Sequence, residues 1–215
     1  MRATTNVRSS ATREAILDAA ERLFAERGLA TVSNRQVSEA AGQGNNAAVG
    51  YHFGTKTDLV RAIVHRHSGP VAQRRRELVA RIDSSEDPRD WISCWVRPTT
   101  EHLESLGAPT WYARFAAQVM ADPVFRDVVL TESLSDPVLT QILEGLNRCI
   151  PPMPVEVRLG RNYMTRQLVV NTLADCERVL AAGRPAPWAS WEKASHALVD
   201  ALVGLWLASI TPLPS

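Results

Sequence analysis

From Thr12 to Ile210 the apolar residues recur at separations of three, four and seven, interrupted at short intervals by proline and glycine, and nowhere alternate over the length a strand would need. A chain with that tempo buries its apolar stripes by packing helix against helix, so the sequence predicts an all-α fold. With 215 residues, 45% of them apolar and 22% charged, it has material for a core that needs no metal or disulfide staple. Cys94, Cys149 and Cys176 form no CxxC pair, which argues against a zinc cluster or a disulfide framework and fits a reducing, cytoplasmic compartment. No metal or other cofactor is expected. Met1 to Thr12 lacks the apolar run of a signal peptide, and Ala197 to Ile210 is 14 residues carrying Asp200, short of the ~20 that span a bilayer. No membrane partner is expected.

The breakers divide the chain. Ile16, Ala19, Ala20, Leu23 and Phe24 form one stripe between Thr12 and Arg27, closed by Gly28. Ser33 with Gln36 makes a capping box ahead of Val37, Ala40 and Ala41, and Gly42 ends that short helix. Gln43-Gly44-Asn45-Asn46 is a turn, and either asparagine suits a cap for a third helix through Ala47, Ala48, Val49 and Phe53. Thr55 and Asp58 open a long fourth helix that Pro70 should kink or interrupt before it resumes to Ile82. After a linker at 83–88, helical segments are expected at roughly 88–106, 109–121, 123–135 and 138–150, then two long ones from Val155 to Ala182 and from Trp188 to Ile210.

No nucleophile elbow, zinc-binding HExxH or phosphate loop occurs, so an enzyme is not indicated. Charge is divided unevenly. Residues 1–81 hold 13 Lys and Arg against 7 Asp and Glu, whereas 82–215 hold 11 against 16. A basic head on a nearly neutral chain suits a polyanion. Within that head, a supporting helix, a capped short helix, a tight turn and a second short helix have the layout of a helix-turn-helix DNA reader. Asn45, Asn46 and Ala47 suit a helix end that meets base edges, since Asn pairs with adenine and Ala touches a thymine methyl.

The run Ile16-Leu17-Asp18-Ala19-Ala20 with Leu23-Phe24, then Gly28, Val37-Ser38-Glu39-Ala40-Ala41-Gly42, Tyr51-His52-Phe53 and Lys56-Thr57-Asp58-Leu59 resembles the N-terminal domain of TetR-family transcriptional regulators. The basic residues at 1–11 suit a flexible arm, and the resemblance implies a helix-turn-helix DNA-binding domain at 12–68 and a helical ligand-sensing and dimerisation domain at 69–215. Carried over by position, Ser33 caps the second helix and touches a phosphate, Arg35 reaches a phosphate or base, Gln43 belongs to the reading turn, Tyr51 and His52 close the recognition helix, and Lys56 meets the backbone. One departure stands out: nine residues separate Gly42 from His52, one more than the commoner family spacing, and Gly50 occupies a position where tyrosine is usual. Arg2, Arg8 and Arg13 suit either a phosphate backbone or an unattached basic tail.

In the body, Trp91, Trp95, Trp111, Tyr112, Phe115 and Met120 cluster large side chains that serve either as core or as the walls of an apolar effector pocket. Glu101, His102, Arg114 and Gln118 are the polar candidates to orient a ligand there. Leu168 and Leu173 on one terminal helix, with Leu198, Leu202, Leu205 and Trp206 on the other, suit a symmetric four-helix interface. The expected function is therefore a ligand-responsive homodimeric regulator, a repressor on a near-palindromic operator. The alternatives are a helical ligand-binding or interaction module that has lost DNA binding, and an enzyme built on Glu101 and His102.

Overall fold

A computed structural model describes residues 2–45, 47–82, 84–134 and 136–211, with the side chains of 2–8 and 132–134 outside that description. Asn46, and the side chains of Arg2 and Arg8, therefore lie outside the described residues. Among those described there are ten helices and no strand. The head comprises α1 (Arg2–Arg27), α2 (Asn34–Ala40), α3 (Ala48–Phe53) and the first half of α4 (Lys56–Ile82). The body follows as α5 (Pro88–Ser105), α6 (Tyr112–Ala121), α7 (Pro123–Leu134), α8 (Pro137–Cys149), α9 (Val155–Ala182) and α10 (Trp191–Leu207).

Helix α6 starts three residues later than expected, α10 starts three later and ends three earlier, and two larger differences stand beside these shifts. The arm expected at 1–11 is, from Arg2 onward, the opening of α1, because that stretch holds neither Pro nor Gly and nothing stops a helix from propagating back from Thr12. Pro70 does not interrupt α4, which continues to Ile82 as one helix. The packing around α4 outweighs the single ladder bond a proline removes.

The apolar stripes meet in two cores. In the head, Ile16, Leu23 and Phe24 of α1 pack with Val37, Val49 and the Leu59, Val60 and Ile63 face of α4. That core is completed from the body, by Phe115 and Val119 of α6, and the Phe24 and Phe115 rings stack 6.2 Å apart. The body core gathers Val79 of α4 with Trp91, Ile92, Leu103, Ile142, Leu146, Leu173, Leu198, Leu202 and Trp206. Four of the six residues expected at a subunit interface, Leu173, Leu198, Leu202 and Trp206, are thus inside this core, none more than 3% exposed. The inner stripes of α9 and α10 are taken up in covering α5 and each other, and have no surface to offer a partner. Leu205 is half-buried, and Leu168 is the one of the six that is exposed.

Helix α9 also closes two helix ends with buried charge. The α6 N-terminus has no side-chain cap of its own. Instead Glu177 accepts from the Ala113 and Arg114 amides at 3.2 and 3.0 Å and from Arg114 Nε at 2.9 Å. At the α10 C-terminus, Arg161 donates to the Trp206 and Ala208 carbonyls at 2.8 and 2.6 Å. Each charge has the sign that the exposed end of the helix dipole favours.

Trp91 lies flat against Gly145 of α8, where an added Cβ would overlap the indole ring. Gly145→Ala gains about 1 kcal/mol of helix propensity, but overpacking a filled core costs about 1–3 kcal/mol. The variant should therefore unfold at lower urea concentration than the parent, and an unchanged or higher midpoint would show that Trp91 moves freely.

Candidate nucleic-acid interface

Ser33 opens α2 through a complete capping box: its hydroxyl accepts from Gln36 N at 3.3 Å, while its own amide donates to Gln36 Oε1 at 2.8 Å. Gly42 then takes a positive φ of 67°, which lets the chain turn at once. In the turn that follows, Gln43 Nε2 donates to the Ala41 carbonyl at 3.0 Å, and Asn45 Oδ1 accepts from Ala47 N at 2.9 Å. Asn45 therefore fastens the turn ahead of α3 without capping it, since the N-cap is Ala47 and α3 has no side-chain cap, and the Asn45 side-chain oxygen is already engaged.

Helix α3 is short, and its two faces differ sharply. Ala48 and Val49 are buried against the head core. Ala47, Gly50 and Tyr51, three and four residues apart, share the opposite face and are exposed, Tyr51 to 84%. A Cβ at Gly50 would meet nothing within 4 Å, so the missing side chain leaves a gap in the outward surface and not in the core. Tyr51 stands edge-on to His52, ring centroids 5.1 Å apart, and His52 is half-buried. Arg35, exposed on α2, pairs with Glu39 at 2.8 Å, a surface pair that a phosphate can displace at little cost.

Lys56 departs from expectation. Its Nζ donates to the Leu29 carbonyl and lies 5.7 Å over the Phe24 ring. Burial lowers its pKa, and Asp122 partly offsets the shift. The ammonium thus ties α4 back to the end of α1 and is already engaged inside the head. What α4 offers outward is its N-terminus, where Thr55 and Asp58 form the expected box: Thr55 Oγ1 donates to Asp58 Oδ2 at 2.6 Å and accepts from Asp58 N at 3.1 Å.

A supporting α1, a capped α2, a tight turn and an α3 with one exposed face form a helix-turn-helix. Residues 16–63 match the model for bacterial regulatory proteins of the tetR family, and residues 93–204, more than half the chain, match that of the tetracyclin repressor-like C-terminal domain. The chain belongs to the TetR family. Relatives include two proteins of Pseudomonas putida, the probable HTH-type transcriptional regulator ArpR and the HTH-type transcriptional regulator TtgR. Each is 34% identical over 83 residues, 39% of this chain and 37% of the relative, so the matched stretch is little more than a third of their length. Among solved structures, the TetR-family transcriptional regulator PfmR of Thermus thermophilus shares the fold with a TM-score of 0.54 at 16% identity, covering 92% of this chain and 96% of that one. TetR-family members are transcription regulators, not enzymes.

The TetR body does not gather the eight ligand candidates into one pocket. Trp91 and Phe115 are fully buried, the first in the body core and the second in the head core. Trp95 is half-buried against the body core, Glu101 faces Arg97 at 3.1 Å, and Gln118 is exposed with its amide near Gly28. Tyr112 stacks on His67 with centroids 3.8 Å apart. Of the eight, His102 and Trp111 line the cleft between head and body. Glu101 and His102, proposed together as a catalytic pair, make separate contacts with Arg97 and His67.

What sequence reading missed is the polar chain that lines this junction. Glu21 of α1 accepts from Arg66 and from His67 Nε2, the latter at 2.9 Å, and His67 Nδ1 shares a proton with His102 Nε2 across 2.8 Å. Burial raises the Glu21 pKa, but His67 and Arg66 outweigh it and hold the carboxyl below its usual range. The three residues lie on three helices, 46 and 35 positions apart, so no spacing rule could have joined them.

Burial, with the nearby His67 and Arg74, pushes His102 down to about 4 from 6.5. Between those values the unfolded chain takes a proton that the folded one refuses, so stability falls as pH drops from about 6.5 to about 4. His102→Gln removes this contribution. Urea midpoints followed across that window should decline less steeply in the variant than in the parent, and parallel curves would mean His102 titrates normally.

Proposed function

We propose that this TetR-family chain is a cytoplasmic, ligand-responsive repressor that binds a near-palindromic operator as a homodimer. The observation that carries the reading is the outward face of α3, where Ala47, Gly50 and Tyr51 are bare while Ala48 and Val49 anchor the helix from behind. A helix so seated projects into a groove ~12 Å wide without unpacking its head. Phosphate contacts are assigned to Ser33, Arg35, Tyr51 and the capped α4 N-terminus, and base contacts to Ala47 and the Gln43 to Asn46 turn, with His52 bracing Tyr51. Gly50 bares the α3 backbone, and Tyr51 beside it supplies the aromatic hydroxyl otherwise missing from that face.

For the homodimer, the uncovered apolar surface is on the outer side of α9. Leu159, Tyr163, Met164 and Leu168 are all exposed, and Leu207 at the end of α10 joins them. Their spacings of four, one and four place the α9 residues on one side of the helix. Two such faces make a self-complementary interface of the kind a two-fold dimer needs, with heads set for half-sites ~34 Å apart. No helix among the described residues is long and apolar enough to cross a membrane, which accords with a protein that works at DNA.

The test is selection of bound fragments from genomic DNA, followed by fluorescence anisotropy on the recovered sequence and a scrambled control at several salt concentrations. The recovered site should show two half-sites related by symmetry and bind at least ~10³-fold more tightly than the control. Failure to enrich any sequence would favour the module that has lost DNA binding. Arg35→Ala should weaken operator and control alike and flatten the salt dependence by about one phosphate, with little change in melting temperature because its Glu39 pair is exposed. Lys56→Met should do the reverse: it leaves the salt slope intact and lowers stability by about 1 kcal/mol, because the Leu29 carbonyl loses its donor.

A further inference from the structure

A cleft of about 830 Å³ lies between head and body. Its size is in the range of sites for small organic ligands, roughly 300–1,000 Å³. One wall is head: Arg22 of α1 and Ala40 and Ala41 beside it. The other is body: Pro70, His102 and Trp111.

The charges on these walls are not all satisfied. Asp18, Glu21 and Arg66 line the cleft but satisfy one another, for Arg66 reaches Asp18 at 2.6 Å and is also paired with Glu21. His67 and His102 are engaged in the chain that ends on Glu21. Arg22 is different. It is half-buried, lines the same cleft, and has no hydrogen-bond or ion-pair partner among the described residues. A guanidinium at the side of a partly desolvated cleft attracts an anion more strongly than one in open solvent, and its fork matches a carboxylate. Across from it, Trp111 is held in place by Arg114, whose guanidinium lies 4.5 Å over the indole and is itself fixed by Glu177. Trp111, Pro70 and Leu106 supply an apolar surface on the body side.

We propose that this junction cleft is an effector site for an amphipathic organic anion, its carboxylate on Arg22 and its apolar body against Trp111. Because the walls belong to different parts of the molecule, such a ligand fits only one separation of head and body. Operator and ligand are then linked, each changing the affinity for the other by the same factor. That consequence rests on the regulator reading above; the binding chemistry does not.

Isothermal titration of the full-length chain tests the assignment with three probes of one shape: 1-naphthoate, neutral 1-naphthamide and 1-naphthylmethylammonium. The naphthoate should bind saturably and quench tryptophan emission, the amide should bind about tenfold more weakly or worse, and the ammonium should not bind. Arg22→Gln should reduce naphthoate to the level of the amide, and Ala40→Trp, which fills the cleft from an exposed position, should abolish binding with Arg22 in place. Equal affinity for acid and amide, preference for the ammonium, or undiminished binding in either variant overturns the proposal; the second variant decides should the first fold poorly. Mobility shift with the selected operator separates the two readings. Arg22-dependent naphthoate binding by a chain that shifts no DNA leaves the cleft and removes the regulator, whereas operator binding with no saturable naphthoate binding removes the cleft alone.

Discussion

Helix α4 belongs to both hydrophobic cores. Leu59, Val60 and Ile63 seal the head, Val79 enters the body, and the helix passes Pro70 between them without a break. A domain boundary drawn between residues 68 and 69, beside Pro70, is sensible from sequence, but it cuts a shared strut. Helix α6 repeats the arrangement from the other side, sending Phe115 and Val119 into the head core while Ala113 packs in the body. With two crossing elements held by buried apolar side chains, the head cannot swing as an independent unit. Its orientation is set by how α1 rests on α6 and by the angle at which α4 leaves the body.

Between the two apolar seals lies the polar chain of Glu21, His67 and His102, with Arg66 alongside. Buried polar groups add little net stability against well-packed apolar ones, yet each is costly to leave unpaired. A chain of this kind therefore favours discrete arrangements over continuous sliding. Moving α1 away from α4 by an ångström or two strands Glu21, a carboxylate with 5% exposure. The same logic applies to Glu177 and Arg161, through which α9 fixes the start of α6 and the end of α10. Specific orientation, more than stability, is what these charges contribute.

Much of the fold was legible because proline, glycine and capping residues act locally. Pro88, Pro123 and Pro137 begin helices where a missing amide costs nothing, and Ser33 and Asp87 cap with their own side chains. The errors fell where the deciding partner is distant. Trp111 and Tyr112 could not reveal that α6 starts at Tyr112, because its cap is Glu177, more than 60 residues away. Lys56 reads as a phosphate lysine from its neighbours, and only the fold shows the Leu29 carbonyl above it. An apolar stripe likewise does not say which partner it meets: Leu198 and Trp206 serve the subunit's own core, and Leu159 and Met164, less regular in the sequence, are left on the outside. Arg22 drew no attention for the same reason, since a lone arginine on an amphipathic helix is commonplace until the cleft beside it is seen.

The length of α4 turns small changes at the junction into large ones at α3. From Pro70 to Lys56 the helix rises ~1.5 Å per residue, roughly 20 Å in all, so a tilt of about 5° at the proline displaces its tip by roughly 2 Å. Hydrogen bonds to base edges tolerate a few tenths of an ångström before they weaken steeply. In the proposed dimer the displacement enters twice, once for each head. A ligand in the cleft therefore need not unfold or block the recognition helix to alter DNA binding. It has only to hold α1 and Trp111 at a spacing other than the one at which both heads fit successive grooves, and a rigid α4 carries the difference outward.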